Sequence, residues 1–186
     1  AERAVLMLHG RGASAQSMLR VSLKLPDAAY LAPQAAERTW YPESFTAPRN
    51  ENQPYLDSAL KKVERTVEYI EKFVDRDRIL IMGFSQGACL ASEYLASKPR
   101  KYGGAAILSG GLIGSETEDF EGDMKSTPVY IGCSDSDPHI PLERVKDTAS
   151  VFDSLNADIE TYIFEGSHHG ITSQEKETLS RMISDL

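Results

Sequence analysis

Short apolar runs alternate along this chain with longer stretches in which apolar residues recur every three or four positions. The runs predict strands at Ala4–Leu8, Ala28–Ala32, Arg78–Gly83, Gly104–Leu108, Val129–Gly132 and Ile159–Phe164. The first five are almost continuously apolar, which is typical of strands buried on both faces. Strands that alternate with helices predict an α/β fold with a mostly parallel sheet and helices on both faces.

The clearest helical pattern runs from about Pro54 to Val74, with apolar residues on one face. Further helices are predicted from Ser85 to about Lys98, over Leu142–Leu155, over Ser173–Asp185 and after a cap at Ser14. Two long stretches, Pro33–Gln53 and Gly110–Thr127, lack a regular pattern. Long irregular loops in a compact domain are often functional, so the first is a candidate substrate wall.

The composition is that of an ordinary globular protein. The 186 residues fit one domain spanning positions 1–186, with 41% hydrophobic and 26% charged residues. The net charge of −8 argues against nucleic acid or an anionic membrane as partner, because both attract basic surfaces. No apolar run approaches the roughly 20 residues of a membrane span. We therefore expect a small-molecule partner and a monomer or homodimer.

The two cysteines, Cys89 and Cys133, lie in apolar surroundings and do not form a disulfide framework. This use of cysteine fits a reducing, cytoplasmic compartment. The chain opens without a signal-peptide pattern. It also lacks an initiator Met, so we expect a trimmed sequence, and a removed leader is compatible with that start.

The run Gly83-Phe84-Ser85-Gln86-Gly87 lies between a predicted strand and a predicted helix. A strand, a tight turn centred on Ser and a helix are the setting of a nucleophile elbow, which exposes the Ser hydroxyl above the sheet. The pattern therefore predicts a serine-dependent acyl hydrolase with Ser85 as nucleophile. Cys89 is a rival nucleophile, but it would lie one helical turn further on, against the sheet.

A serine nucleophile needs a base, and the base needs an acid that orients it. In this kind of fold the acid follows a later strand than Ser, and His follows the last strand. Asp135 and Asp137 follow the fifth predicted strand, and His168 and His169 follow the sixth. The unused Asp would be a turn residue. The residues alone leave both choices open.

Two backbone N–H groups should stabilise the oxyanion of the transition state. One is expected from Gln86, the residue after the nucleophile. We predict that Arg11 provides the other, because Gly10 and Gly12 let the loop after the first strand approach the substrate closely. His9 precedes this loop and is expected to be structural.

Three aromatic residues, Trp40, Tyr41 and Phe45, lie in the first irregular stretch. They would either line the substrate pocket or seal the edge of the sheet. Trp40 and Tyr41, together with His139 in the loop that carries the Asp residues, are the candidate substrate contacts.

Taken together, these motifs resemble the phospholipase/carboxylesterase family of α/β-hydrolases, which includes the acyl-protein thioesterases. The matching pieces are Leu8-His9-Gly10-Arg11-Gly12, Ala32-Pro33-Gln34 with Thr39-Trp40-Tyr41, Gly83-Phe84-Ser85-Gln86-Gly87-Ala88, Asp137-Pro138-His139-Ile140-Pro141 and Glu165-Gly166-Ser167-His168-His169. They follow the order of the family from near the first residue to near the last.

The resemblance implies a choice at each open position. The acid of the family precedes a Pro-x-aliphatic-Pro run, which matches Asp137, and its His stands three residues after Gly, which matches His169. The residue after His-Gly is an oxyanion donor in the family, which matches Arg11. The implied triad is Ser85, Asp137 and His169, and the implied chemistry needs no cofactor or metal.

The resemblance also implies an α/β-hydrolase sheet of about six or seven strands, and this chain departs from the family in its reduced N-terminus. Arg11 stands where the family often has Leu, and the segment between Trp40 and Pro54 is short for a lid over a long acyl chain. These departures favour a serine carboxylesterase acting on small esters. Acyl-protein thioesterase or lysophospholipase activity on the same triad is the alternative.

The sequence gives less support to two other classes of function. A metal-dependent hydrolase would use Asp135, Asp137, His139, His168 and His169, but no tight ligand spacing is present. A non-catalytic binding module would be expected to lack part of the triad, whereas all three residue types are present.

Overall fold

The structure, a computed structural model, describes residues 2–186 and contains one parallel six-stranded sheet in the order β2-β1-β3-β4-β5-β6. Every neighbouring pair of strands is parallel. The strands are β1 (Ala4–Leu8), β2 (Ala29–Leu31), β3 (Ile79–Phe84), β4 (Gly104–Leu108), β5 (Pro128–Ser134) and β6 (Asp158–Phe164). The predicted α/β architecture is confirmed, and all six predicted strands are present within a few residues of their expected bounds.

In the described part of the chain, from residue 2 onward, five α-helices cover the sheet. They are α1 (Ala15–Ser22), α2 (Tyr55–Ile70), α3 (Gln86–Ser97), α4 (Leu142–Ser154) and α5 (Ser173–Ser184). Capping boxes at Ser14 and Thr172 start α1 and α5, because each side chain accepts a hydrogen bond from a backbone N–H of the first turn.

Helix α2 ends four residues before the predicted end at Val74. The N–H groups of Phe73 and Val74 both bond to the carbonyl of Ile70, which closes the helix with a turn. Val74 is nevertheless buried, at 7% exposure. The apolar spacing therefore continues past the end of the helix, which is why the periodicity overestimated its length.

The sheet buries both of its faces. In β1, Ala4, Leu6 and Leu8 join the cluster that includes apolar side chains of α2, α3 and α4, whereas Val5 and Met7 join the cluster on the side of α1 and α5. Consecutive side chains of a strand point to opposite faces, so a strand covered by two layers must be apolar throughout. The edge strands β2 and β6 are less buried, contrary to the expectation for β2.

Parallel strands bring their carboxyl ends to one edge of the sheet, where ligands of open α/β sheets bind. The loops that follow β1, β3, β5 and β6 therefore meet at this edge. Among residues 2–186, no helix combines the length and the apolar character that crossing a membrane requires.

The layered packing makes a stability prediction. Replacing Leu6, which is fully buried in the interior strand β1, by Ala should lower the free energy of unfolding by about 2–5 kcal/mol, because a cavity remains. Leu23→Ala is the matched control, since Leu23 is 82% exposed and its loss should change stability by less than about 0.5 kcal/mol. Urea unfolding followed by circular dichroism measures both; equal effects would contradict the layer assignment.

Candidate active site

Ser85 lies at a sharp turn between β3 and α3. Its backbone adopts φ 54° and ψ −119°, a left-handed conformation that L-residues rarely adopt. Its N–H donates to the carbonyl of Leu108 at 2.9 Å, so the turn is tied to β4. A Cβ at Gly83 would overlap the backbone of Gly87, and a Cβ at Gly87 would overlap the carbonyl of Leu8. The two glycines are therefore required for helix α3 to start so close to the sheet.

A chain of hydrogen bonds starts at the Ser85 hydroxyl. Ser85 Oγ lies 2.9 Å from Nε2 of His169, and Nδ1 of the same ring lies 2.6 Å from Oδ2 of Asp137. A carboxylate only accepts, so the ring proton is on Nδ1 and Nε2 is free to accept from the hydroxyl. The structure thus brings together the three residues that the sequence singled out.

Asp137 is held rigidly. Its side chain is fully buried, and its Oδ1 accepts hydrogen bonds from the N–H groups of His139 at 2.8 Å and Ile140 at 3.0 Å. These bonds compensate the carboxylate for lost water, since a buried charge without partners is strongly unfavourable. The Pro-x-aliphatic-Pro run after Asp137 therefore has a structural purpose, because it presents two N–H groups to one oxygen.

Two aromatic rings flank the His169 imidazole. Phe84 lies 5.0 Å from it and His139 lies 4.9 Å from it, measured between ring centroids. The residue before the nucleophile and the residue two positions after the acid therefore restrict the tilt of the base. No sequence pattern indicates this role for Phe84 beyond its place in the elbow.

The other member of each pair lies outside the hydrogen-bond chain that starts at Ser85. Asp135 Oδ1 accepts from the Gly166 N–H at 3.0 Å, which joins the loop after β5 to the loop after β6. His168 is exposed, and its backbone carbonyl accepts from the Ser134 hydroxyl at 2.5 Å. Asp135 is thus the turn residue that the sequence allowed, and its bond to Gly166 helps to set the distance between Asp137 and His169.

His9 is buried and structural, as expected. Its Nδ1 donates to the Gly10 carbonyl at 2.7 Å, and its Nε2 accepts from the Ala35 N–H at 3.1 Å. Its carbonyl accepts from the indole N–H of Trp40 at 2.8 Å, and the two rings stack with centroids 4.9 Å apart. Burial lowers the pKa of His9 below its ordinary value of 6.5, and the nearby charge of Arg38 lowers it further. The ring therefore stays neutral and fixes the start of the loop after β1.

The loop after β1 passes close to the nucleophile. A Cβ on Gly10 would lie 3.4 Å from the Ser85 Cβ, so a larger residue would crowd the hydroxyl. Gly10, Arg11, Ser85 and Gln86 line one cavity of about 690 Å³. Within residues 2–186, the backbone N–H groups of Arg11 and Gln86 have no protein acceptor, which leaves both available to a ligand.

The same cavity has mixed walls. Its apolar lining includes Tyr41, Phe45 and Phe84, and its polar lining includes Glu43 and His139. The volume is in the range of small-molecule sites, roughly 300–1,000 Å³. Tyr41 and His139 therefore lie where the sequence expected substrate contacts. Trp40 does not line this cavity, because its ring packs against His9.

The two cysteines and the candidate metal ligands are the alternatives to a serine nucleophile. Burial raises the pKa of Cys89 and of Cys133 to about 12, so both are neutral thiols at neutral pH. In the described part of the chain, no group of three or more His, Cys, Asp or Glu side chains is arranged to hold a metal ion. The ligand set weighed from the sequence is therefore not assembled.

One buried ion pair was missed by sequence reasoning. Glu93 of α3 is fully buried, pairs with Arg49 and accepts from the Ile113 N–H at 3.3 Å. Burial raises the pKa of Glu93, and the Arg49 charge opposes that rise. The signal available was a lone charged residue, Glu93, inside the mostly apolar helix segment Ala88–Ala96. The pair joins α3 to the first irregular stretch, which lines the cavity, and the bond from Ile113 joins α3 to the second stretch.

Comparison with known proteins assigns the family. The family model described as phospholipase/carboxylesterase matches residues 1–186. The chain belongs to the phospholipase/carboxylesterase family. The resemblance read from the sequence motifs is confirmed, and the six-stranded sheet is that of an α/β-hydrolase.

Relatives within and around this family differ in how much they share with the chain. The phospholipase/carboxylesterase from Dyadobacter fermentans, known from its crystal structure, matches with a TM-score of 0.94 and 41% identity over 99% of this chain and 90% of that one. The carboxylesterase from Bacillus cereus matches with a TM-score of 0.82 at 17% identity over 98% and 88% of the two chains, a likeness of fold.

Among curated proteins, acyl-protein thioesterase 1 from Saccharomyces cerevisiae is 32% identical over 132 residues, which are 68% of this chain and 58% of that protein. The Kluyveromyces lactis protein of the same name is 30% identical over 136 residues, 69% and 59% of the two. The matched part is thus less than two thirds of either yeast protein.

The buried His9 of this family member predicts a pH effect on stability. The unfolded chain takes up a proton at His9 as the pH falls through 6.5, whereas the folded chain with its lowered pKa takes it up only at lower pH, so stability is lost on the acid side. His9→Gln should remove this part of the loss, at most about 1.4 kcal/mol per pH unit. Urea unfolding of both proteins between pH 8 and pH 5.5 measures it; equal pH slopes would contradict the neutral buried ring.

Proposed function

We propose that this protein is a serine carboxylesterase that hydrolyses small carboxylic esters through an acyl-enzyme intermediate. One observation carries the proposal, namely the continuous hydrogen-bond chain from Ser85 through His169 to Asp137 at the wall of a ligand-sized cavity. Membership of the phospholipase/carboxylesterase family supports the same reaction class.

In the first half of the reaction, Ser85 Oγ attacks the ester carbonyl carbon while Nε2 of His169 takes the hydroxyl proton. The carbonyl oxygen gains negative charge and is stabilised by the backbone N–H groups of Arg11 and Gln86. Asp137 stabilises the imidazolium of His169, because its Oδ2 accepts the hydrogen bond from the Nδ1–H group of that ring. The carbon–oxygen ester bond then breaks, and His169 returns the proton to the leaving alkoxide.

In the second half, water attacks the acyl carbon of the Ser85 ester. His169 takes the water proton and delivers it to Ser85 Oγ as the carbon–oxygen bond to the enzyme breaks, which frees the carboxylic acid. The only buried charge in this relay is Asp137, which keeps the same partners throughout. This scheme needs no metal or cofactor.

The walls of the cavity favour a small or partly polar ester. A long alkyl chain is best accommodated by a continuous apolar lining, because each buried methylene contributes about 0.8 kcal/mol only when it leaves water for apolar contacts. Here the apolar lining is interrupted by Arg11, Glu43 and His139. The yeast relatives named acyl-protein thioesterase 1 keep thioesterase activity as the second candidate on the same triad.

The remaining parts of the proposal concern partners and compartment. The net charge of −8 supports a neutral or weakly charged small-molecule substrate over nucleic acid. Two buried free thiols support a reducing compartment such as the cytoplasm. We further propose that the chain acts as a monomer or homodimer.

Removal of the nucleophile tests the reaction. Ser85→Ala should lower kcat for p-nitrophenyl acetate by several orders of magnitude, because loss of the same group in a serine protease costs about 10⁶-fold. Ser154→Ala, at an exposed serine of α4 far from the site, is the matched control and should keep wild-type turnover. Labelling by a fluorophosphonate, located by mass spectrometry, should occur at Ser85. Full ester turnover by Ser85→Ala would refute the proposal.

A substrate panel tests the chain length and the leaving atom. We expect kcat/KM to fall from acetyl and butyryl esters to decanoyl and palmitoyl esters, because the polar wall does not bury the longer chains. Oxygen esters and thioesters of matched acyl groups are compared with wild type and with Ser85→Ala, which provides the background. A preference for palmitoyl thioesters would select the thioesterase alternative.

A further inference from the structure

The side chains of the two proposed oxyanion donors contact the same short segment of chain. We define the strap as Trp40–Glu43, which lies in the irregular stretch between β2 and α2. The strap contributes Tyr41, Pro42 and Glu43 to the wall of the cavity at Ser85. Trp40 and Tyr41 are almost fully buried, at 4% and 1% exposure. The first half of the strap is therefore part of the packed structure, whereas Pro42 and Glu43 are exposed.

Arg11 binds the second half of the strap through its side chain. Nη1 donates to the Pro42 carbonyl at 2.9 Å, and Nη2 donates to the Glu43 carbonyl at 2.7 Å. The guanidinium also lies over the Tyr41 ring, with Cζ 5.9 Å from the centroid. A planar fork that spans two consecutive carbonyls fixes its own position and orientation. The guanidinium is thus committed to the protein instead of being presented to a substrate.

Gln86 binds the first half of the strap. Its Oε1 accepts from the Trp40 N–H at 3.0 Å, and its Nε2 donates to the Tyr41 carbonyl at 2.9 Å. The amide is buried, and Gln86 is 6% exposed, so loss of either bond would leave polar groups unpaired. Four consecutive strap residues thus give one backbone group each to Arg11 or Gln86.

A third tie connects the strap to the base of the oxyanion loop. The Trp40 indole N–H donates to the carbonyl of His9, two residues before Arg11. The Gly12 N–H, one residue after Arg11, bonds to the Arg38 carbonyl at 2.8 Å, just before the strap. The backbone on both sides of Arg11 is therefore held against the same stretch of chain.

From this convergence we propose that the strap positions the oxyanion hole, with Arg11 and Gln86 acting through their side chains as positioning residues for their own backbone N–H groups. The inference rests on the proposed function and adds to it a reason why the two N–H groups are held in fixed positions. The Arg11 loop follows β1 and Gln86 follows β3, and no hydrogen bond joins the two residues directly. The strap is what they share. Oxyanion donors must be fixed before charge develops, and a displacement of about 1 Å costs on the order of 10²-fold in rate.

Substitution of these side chains tests the inference, because every variant keeps the backbone N–H. Arg11→Met and Gln86→Met should each lower kcat for p-nitrophenyl acetate by about 10–100-fold, with KM changed less than about twofold. Affinity for a trifluoromethyl ketone, whose adduct with Ser85 carries the oxyanion, should fall by the same factor as kcat/KM. General destabilisation would not lower both kcat and the affinity for the adduct while it left KM nearly unchanged.

The double variant gives a sharper readout. Because both side chains hold one strap, Arg11→Met combined with Gln86→Met should lose little more activity than the more affected single variant. Losses that multiply would mean that each residue acts independently, and the shared strap would be refuted. Arg11→Lys should restore only a small part of the activity, since an ammonium group does not reproduce a two-carbonyl fork.

The matched control is Arg3→Met. The Arg3 guanidinium also donates hydrogen bonds to main-chain carbonyls, those of Asp27, Ile183 and Ser184. These contacts lie at the amino ends of β1 and β2, at the edge of the sheet opposite the site. The Arg3→Met variant should have lower thermal stability than the wild type but the same kcat. Unfolding curves at the assay temperature confirm that each variant is folded.

The outcomes separate this inference from the proposed function. If Ser85→Ala is inactive and both single variants keep wild-type kcat, the strap proposal alone is refuted. If Arg11→Met changes only KM, and does so for anionic esters and not for neutral ones, Arg11 binds substrate charge and the positioning proposal is also refuted. If Ser85→Ala remains active, the proposed function fails whatever the strap variants do.

Discussion

The strained backbone of Ser85 is the constraint on which the rest of the site depends. A left-handed residue at the end of β3 lets α3 begin at once, directly above the sheet. This requires glycine at positions 83 and 87, since any side chain at either would overlap main-chain atoms. Strain of this kind costs on the order of 1–3 kcal/mol and persists only where packing enforces it. The enforcement comes from an almost entirely buried α3 and the bond from Ser85 N–H to β4.

The sequence specified the sheet and the candidate nucleophile to a large extent, because both rest on local patterns. Strands buried on two faces are apolar throughout, and the elbow motif has a fixed place between a strand and a helix. The choice of Asp137 over Asp135 and of His169 over His168 came from the family resemblance. The structure supplies a physical account, since Asp137 receives two N–H groups while Asp135 braces the neighbouring loop.

What the sequence did not reveal are contacts between residues distant along the chain. Gln86 was recognised for its N–H, but its amide bonds to Trp40 and Tyr41 depend on how a loop more than forty residues earlier folds. The pairing of Glu93 with Arg49 is similar, because nothing local to either residue names the other. The end of α2 was misjudged for the opposite reason, since local periodicity continued to Val74 although the helix did not.

These distant contacts explain how a small hydrolase holds a precise site with little covering structure. The loops at the carboxyl edge of the sheet are tied to their neighbours by hydrogen bonds: His169 to Asp137, Gly166 to Asp135, and Arg11 and Gln86 to the strap. Buried hydrogen bonds resist loss because their partners would be left unpaired. The side chains of Glu43 and His139 also line the cavity but make none of these ties. The proposed oxyanion geometry therefore does not depend on the Glu43 side chain.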